Sequence, residues 1–352
     1  MKYEEKEQEQ YADMQVGDFQ YAAVQEEKAL PARPAGKKKS PLMVAGSLVV
    51  AGAAIMAVGI AGAGHSHSHY DTDTPVMETT FVAEEYEPLG NAEIIDMTGV
   101  TGVNIVCNAG EVQIVSGDSF SVENTSNVLQ YSRSVTDGVM AIEYGFKSDD
   151  NIFDNNDGML YITVPNVIVD NFDVTVNLGT ASVSDIYGSN MSITLNAGGL
   201  SVKNIKADNT TFKVNAGEAT FEDCTAESLT TLIAGGEVQI NDVVSADLTI
   251  NASGGECTVN SGNADKLSIV SNASEVEYNG GVESGADIEA SMGDVTLNLN
   301  RSAGEYDINE KSSKMSEISV NGDYLYDFVK NNHDGTIPIN ISASMSDISI
   351  NG

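Results

Sequence analysis

The sequence is poor in the residue types on which most chemical sites depend. The chain of 352 residues contains no tryptophan, 6% aromatic residues, four histidines and three cysteines. Lysine and arginine together number 17 against 52 aspartates and glutamates, which gives a formal net charge of −35. Because phosphate contacts require basic side chains, this charge excludes nucleic acid as an expected partner. The shortage of aromatic residues indicates a core of small aliphatic and β-branched side chains.

Recognisable catalytic motifs are also missing. Cys107, Cys224 and Cys257 form no CxxC pair, and we expect them to be buried thiols. The sequence contains no GxSxG, HExxH, Walker loop or dinucleotide fingerprint. Apart from one histidine cluster near the N-terminus, His333 stands alone. We therefore predict that the protein is not an enzyme.

A repeat of 19 residues occupies the second half of the chain. Small residues follow one another at this spacing: Gly179, Gly198, Gly217, Gly236, Gly255, Ser274 and Gly293. Apolar residues stand two and four positions after each of them, with a polar residue between, which is the period of a β-strand. Self-similarity at about 20 residues is typical of a solenoid, in which each repeat forms one coil stacked on the next. The predicted fold class is all-β, a parallel β-solenoid with 19-residue coils.

Asparagines and irregular flanking units refine this prediction. Asparagine recurs in two turn positions: Asn177, Asn196, Asn215 and Asn272 in the first, and Asn241, Asn260, Asn279 and Asn298 in the second. Stacked amides can bond donor to acceptor between coils, although asparagine also simply tolerates left-handed turns. Residues 108–114, 316–320 and 346–350 repeat the glycine junction at altered spacing. They predict irregular coils at the two ends of the stack.

An uncharged apolar segment precedes the repeats. As a helix, residues 41–64 would span about 36 Å, enough for a hydrocarbon core of about 30 Å. Lys37, Lys38 and Lys39 stand before the segment, so the positive-inside rule predicts a cytoplasmic N-terminus and an extracellular C-terminal domain. The alternative is a signal peptide cleaved near Ala63.

The predicted organisation has four parts. Residues 1–40 form an acidic cytoplasmic tail that we expect to be disordered, and residues 41–64 form a transmembrane helix. Residues 65–91 form a polar juxtamembrane linker. Residues 92–352 form an extracellular β-solenoid, which makes this a single-pass protein of the cell membrane.

Two groups of residues are candidate metal ligands. His65, His67 and His69 alternate, so an extended backbone would point their imidazoles the same way and could bind Zn²⁺. A short polar spacer would explain them equally well.

A column of carboxylates is the second candidate. One position of five successive repeats is acidic: Glu218, Glu237, Glu256, Glu275 and Asp294. In a stack these carboxylates would lie about 5 Å apart, where they repel one another and could capture Ca²⁺. The alternative is that they only solvate the turn, and no cofactor is otherwise expected.

The chain resembles the bacterial putative-adhesin family of envelope proteins. The resemblance rests on the strand 103–105 followed by the junction 108–114, on residues 160–165 leading into 172–174, and on the glycine-punctuated strands. It covers about residues 92–352. The family implies a β-solenoid domain at the cell surface, often on membrane-anchored proteins near envelope-stress systems, and it supplies no functional residues.

These observations lead to one predicted function and two alternatives. We expect a membrane-anchored cell-surface protein with a structural, binding or adhesion role, whose partner is an envelope polymer or surface protein. The first alternative is an envelope-stress sensing or signalling component that uses the cytoplasmic tail. The second is a self-polymerising scaffold similar to the bactofilins.

Overall fold

The structure, a computed structural model, describes residues 92–146, 158–165, 169–326 and 335–352. They all lie in the second of two units into which the chain divides, residues 73–352. Within these ranges no helix is long and apolar enough to cross a membrane. The predicted tail 1–40, helix 41–64 and linker 65–91 lie outside the described residues.

The described residues are mainly strands, together with one 3-10 helix at Ala303–Glu305. The strands of the N-terminal part are β1 (Glu93–Ile94), β2 (Gly102–Cys107), β3 (Gly110–Gly117), β4 (Ser121–Asn124), β5 (Leu129–Thr136), β6 (Val139–Phe146), β7 (Leu160–Pro165), β8 (Val169–Val176) and β9 (Gly179–Ser184). The central strands are β10 (Tyr187–Leu195), β11 (Gly198–Lys203), β12 (Lys206–Val214), β13 (Glu218–Glu222), β14 (Thr225–Ile233), β15 (Glu237–Asn241), β16 (Val244–Ala252), β17 (Glu256–Asn272) and β18 (Glu275–Ser291). The C-terminal strands are β19 (Asp294–Leu299), β20 (Tyr306–Lys314), β21 (Glu317–Val320), β22 (Asp323–Tyr324), β23 (Ile337–Ser344) and β24 (Asp347–Asn351).

Each central coil consists of one long and one short strand. The long strands β8, β10, β12, β14 and β16 pair in parallel with one another, and so do the short strands β9, β11, β13 and β15. In β17 and β18 the short and the long strand are joined into one continuous strand of 17 residues. Ile193 pairs with Phe212, and Phe212 pairs with Thr231, each 19 positions further on. The predicted solenoid with 19-residue coils is thus confirmed for the central stack.

The core lies between the long and the short strands. Burial alternates along each strand, so that Ile193 and Leu195 of β10 are fully buried while Thr194 between them is not. Phe212 and Phe221 stack across the interior with ring centroids 3.8 Å apart and planes 13° apart. The strand period of two predicted from the sequence therefore places the apolar columns inside, because successive side chains of a strand point to opposite faces.

Glycine is required at the coil junction. Gly198 has a φ of 121°, and a Cβ atom built on it would lie 1.9 Å from the carbonyl oxygen of Gly179. Both the backbone conformation and the neighbouring coil exclude a side chain here. In two later coils the residue with the left-handed backbone stands one position earlier, at Ala273 and Met292. The 19-residue position itself can then hold a side chain, and it is occupied by Ser274 in the first of these coils.

Asparagine side chains bond consecutive coils to one another. In the first predicted ladder, the Asn196 amide donates to Asn177 at 2.7 Å, and Asn215 donates to Asn196 at 2.5 Å. In the second, Asn260 donates to Asn241 at 3.0 Å, and the bonding continues through three further coils: Asn279 to Asn260, Asn298 to Asn279 and Asn351 to Asn298. Asn272 is separated from the first ladder, because Ala234 and Ser253 fill that position in two coils.

At both ends the spatial order of the coils differs from their order in the chain. The coil β2–β3 lies between the coil β6–β7 and the coil β8–β9. The coil β23–β24 likewise lies between β18–β19 and the outermost coil β20–β21. The irregular end units predicted from residues 108–114, 316–320 and 346–350 fall on β3, β21 and β24 and are confirmed.

Among the strands that the structure describes, antiparallel pairing occurs only at the ends of the stack. Towards the N-terminal end, β4 pairs antiparallel with β7 and β1, and β5 pairs antiparallel with β6. Towards the C-terminal end, β22 pairs antiparallel with β21, whereas β20 is a parallel strand with exposed residues from Glu310 to Lys314. A charged edge strand of this kind resists pairing with a second chain.

Candidate functional site

The outward side chains of the short strands form a polar surface, which we call the short-strand face. It comprises β9, β11, β13, β15, β19, β21 and β24 with the N-terminal parts of β17 and β18. Since the coils are in register, chemically similar side chains lie in columns about 4.8 Å apart along this face.

The first column contains the predicted carboxylates. Glu218 pairs with Glu237 and Glu237 with Glu256, and the series continues to Glu275 and Asp294. The side chains of all five residues are exposed. The structure thus brings the predicted carboxylate residues together in one row.

Two further carboxylates extend this row, and sequence reasoning missed them. Asp294 pairs with Asp347, and Asp347 pairs with Glu317. The signal was present in the sequence, since Glu317 and Asp347 are the second residues of the repeated motifs at 316–320 and 346–350. Their place in the column depends on the exchanged order of the last two coils, which the spacing does not contain.

Repulsion within the row affects the pKa of one carboxyl group, that of Glu256. Partial desolvation raises the pKa of Glu256, and the charges of Glu275, Glu237 and Glu277 raise it further. Among the described residues, no three histidine, cysteine, aspartate or glutamate side chains converge as a set that could hold a metal ion. Calcium on the carboxylate column remains a prediction, and His65, His67 and His69 lie outside the described residues.

Two more columns run beside the carboxylates on the short-strand face. The middle column is rich in hydroxyls: Ser182, Ser201, Thr220, Thr258, Thr296, Ser349 and Ser319. The third column is the second asparagine ladder, which keeps its amides in fixed positions. The face therefore offers carboxylates, hydroxyls and amides in parallel lines over successive coils.

The long strands present a second polar face with a shallow cleft. A cavity of about 280 Å³ is lined by Asp247, Thr249, Lys266, Ser268, Asp287 and Asn340, among others. The cleft lies where the pairing of β17 with β18 shifts register between Ala264 and Lys266. The Asn340 amide donates a hydrogen bond to the Asp287 carboxylate at 2.9 Å, and both side chains line the cleft. Charged and hydroxyl groups of this kind can hydrogen-bond a polar ligand.

The cysteines take no part in either face. Cys107, Cys224 and Cys257 are free and fully buried, as predicted. Burial raises the pKa of Cys107 to about 11 and the pKa values of Cys224 and Cys257 to about 12. These thiols are therefore protonated at neutral pH and unreactive as nucleophiles.

The stacked coils and polar columns define an all-β, solenoid-like protein with extended surfaces. The chain belongs to the Toastrack DUF4097 family, whose match covers residues 99–261 and 223–349. The two matches overlap, as expected for a chain whose coils resemble one another. The family match confirms the predicted resemblance to an adhesin-type envelope family.

Two solved structures are similar to this chain in fold. One is described as a putative cell adhesion protein from Clostridium sporogenes, with 14% identity, covering 74% of this chain and 97% of its own, at a TM-score of 0.23. The other is described as a putative adhesin from Bacteroides fragilis, with 8% identity, covering 74% of this chain and 95% of its own, at a TM-score of 0.39. A comparison with curated proteins gives no significant match.

Proposed function

We propose that this protein is a cell-surface binding protein, anchored in the membrane by residues 41–64, which performs no catalysis. Its stack of coils binds a polymer or a protein of the cell envelope through the short-strand face. The adhesin-type descriptions of the two similar structures agree with this role.

The observation that supports this proposal is the regular column structure of the short-strand face. A ligand with repeating units meets a carboxylate and an amide in each coil from Glu237 onwards, with a hydroxyl between them in most of these coils, so each such coil contributes a similar set of contacts. The asparagine ladder holds its amides in place before binding, which lowers the entropy lost on association. The carboxylates favour a partner with positive charges or one bridged by divalent cations.

The binding proposal is tested with the full chain as bait in a pull-down from native envelope, with and without calcium. A variant with amides in the carboxylate column carries E218Q, E237Q, E256Q, E275Q and D294N. A matched control removes the same number of charges elsewhere, mainly on the long strands, with D170N, D173N, D247N, D287N and E289Q. We expect the column variant to lose the partner and the control to retain it. Equal retention by both variants would contradict the proposal.

Placement outside the cell is tested separately by adding protease to intact cells that produce the protein. We expect residues 92–352 to be cleaved and a tag placed within residues 1–40 to survive. Protection of the C-terminal domain, with cleavage only after lysis, would place the stack inside. This result would refute the extracellular placement and leave the binding measurement standing.

The arrangement of the ends bears on the scaffold alternative. A second chain that continued the stack beyond β5 would meet an antiparallel strand, whereas the coils of the stack pair in parallel. We therefore expect no filaments of the full chain by electron microscopy as its concentration rises. Concentration-dependent filaments would favour the scaffold. Loss of an envelope-stress response on deleting residues 2–40, with envelope binding intact, would favour the signalling alternative.

A further inference from the structure

Three exposed methionines occupy the same corner of the last three coils. Met292, Met345 and Met315 expose 58%, 48% and 83% of their surface. All three have a left-handed backbone, with φ values of 58°, 54° and 53°. Each stands two residues before a carboxylate of the extended column, namely Asp294, Asp347 and Glu317.

These methionines lie on consecutive coils, although they are far apart in the chain. The Met292 amide donates to the Ser344 carbonyl at 3.0 Å, and the Met345 amide donates to the Lys314 carbonyl at 2.9 Å. The order along the stack is therefore Met292, Met345, Met315, with neighbouring backbones about 4.8 Å apart. We call these three residues the methionine ladder.

Folding alone does not account for methionine at this position. A left-handed backbone costs a residue other than glycine, asparagine or aspartate roughly 1–2 kcal/mol. At the other corner of the coils, the left-handed positions are occupied mainly by such residues: Asp185, Asn204, Asp223 and Asp242. In the coil before the ladder, the equivalent residue is the small Ala273. All three methionines stay about half to largely exposed, so burial offsets only part of this backbone strain, which points to a use for the side chain.

We propose that the methionine ladder binds a soft monovalent metal cation, Cu(I) or the chemically similar Ag(I). Thioether sulfur is a soft ligand that selects such ions over Ca²⁺ or Mg²⁺. Three unbranched side chains rising from backbones one coil apart are flexible enough to converge on one ion. The neighbouring row of carboxylates adds a negative potential that concentrates cations at this corner.

Within the part of the chain that the structure describes, the thiols and two further methionines are buried away from the ladder. The three thiols are buried in the core, and the described residues contain no histidine. The sulfur atoms of Met140 and Met191 belong to buried residues, with 0% and 3% exposure. These buried methionines serve as internal references in a measurement on the whole chain.

The test follows the methyl resonances of the full chain, labelled with [methyl-¹³C]methionine, during titration with silver nitrate. We expect the resonances of Met292, Met315 and Met345 to shift together and to saturate at one ion per chain, while those of Met140 and Met191 stay in place. Replacing Met345, the central residue, with leucine keeps the apolar volume and should raise the dissociation constant at least about tenfold, the lower range for loss of a residue that supports a metal site.

Two variants separate metal binding from folding. M345N should weaken silver binding as M345L does and yet raise the melting temperature, because asparagine accepts the left-handed backbone more readily. A273M places a methionine on the preceding coil and should tighten silver binding. Independent shifts of the three methyl groups without saturation, or equal affinity for M345L and the parent chain, would overturn the proposal. In that case the ladder would be an apolar contact surface only.

Discussion

At the scale of the residue, the glycine column shows how one atom decides whether coils can stack. Gly198 and Gly199 are neighbours in the chain with different surroundings. A Cβ on Gly198 would lie 1.9 Å from a backbone oxygen, whereas a Cβ on Gly199 would first meet the Cγ2 methyl group of Thr180 at 3.3 Å. The two positions therefore form a matched pair for mutation.

We predict that Gly198→Ala lowers the free energy of unfolding by about 3 kcal/mol, because it adds a backbone clash to a left-handed conformation. Gly199→Ala should change it by less than about 1 kcal/mol, since the strand conformation suits alanine and the unfolded chain loses freedom. Urea unfolding followed by circular dichroism measures both. Similar losses for the two variants would show that the junction tolerates a side chain.

Charge at a single carboxyl also affects stability. The pKa of Glu256 is raised in the folded state, so folding disfavours its ionised form. Its contribution to stability is fully present below the pKa of the unfolded chain, about 4.3, and is lost as the pH rises through the folded value.

We therefore predict that Glu256→Gln matches the parent chain near pH 3 and is more stable at pH 7. The gain should be small, about 0.5 kcal/mol, because solvent and salt screen an exposed carboxyl. Thermal unfolding at both pH values and at two salt concentrations measures it. Glu310→Gln, on the edge strand β20, controls for a general loss of negative charge. A gain at pH 3 equal to that at pH 7 would refute the electrostatic cause.

At the scale of the element, the amide ladders add side-chain hydrogen bonds between the turns of neighbouring coils. Asn196 bonds to both neighbouring coils, whereas Asn215 bonds only to the coil before it. The next coil already carries Ala234 in this position, which shows that alanine fits the turn. Asn196 and Asn215 can therefore each be replaced by alanine and compared, because they differ in the number of side-chain hydrogen bonds.

We predict that Asn196→Ala costs about 2 kcal/mol of unfolding free energy and Asn215→Ala about 1 kcal/mol, in proportion to the hydrogen bonds removed. Chemical unfolding of the two variants and the parent chain gives these values. Equal costs would mean that asparagine is present for its turn conformation and not for the ladder.

At the scale of the whole molecule, each coil contacts only the coils beside it. Stability then approximates a sum over coils and their interfaces, and the number of coils can change without altering the fold. The uniform spacing of 19 residues between paired residues in the central stack supports this treatment.

We predict that duplicating residues 199–217 gives a folded protein longer by one coil, about 4.8 Å. Duplicating residues 199–208 should fail to fold, because half a coil would place each later long strand beside a short strand and break the register of the stack. Circular dichroism and small-angle scattering distinguish the outcomes. Equal folding of both duplications would contradict the coil as the unit of the structure.

The sequence by itself determined the coil. The spacing of 19 residues, the alternation of apolar residues and the glycine junctions are local properties, because a strand has a side-chain period of two and a left-handed turn favours glycine. From these alone the parallel stack, the asparagine ladders and the row from Glu218 to Asp294 could be predicted.

Only the tertiary structure decided how the ends are built. The order of the last coils places Asp347 between Asp294 and Glu317, and Met345 between Met292 and Met315. Sequence spacing cannot contain this order, since a coil with the right alternation fits beside any similar coil. Which coil lies beside which depends on the order that best buries the apolar surface at the two ends of the stack. That order is a property of the complete fold.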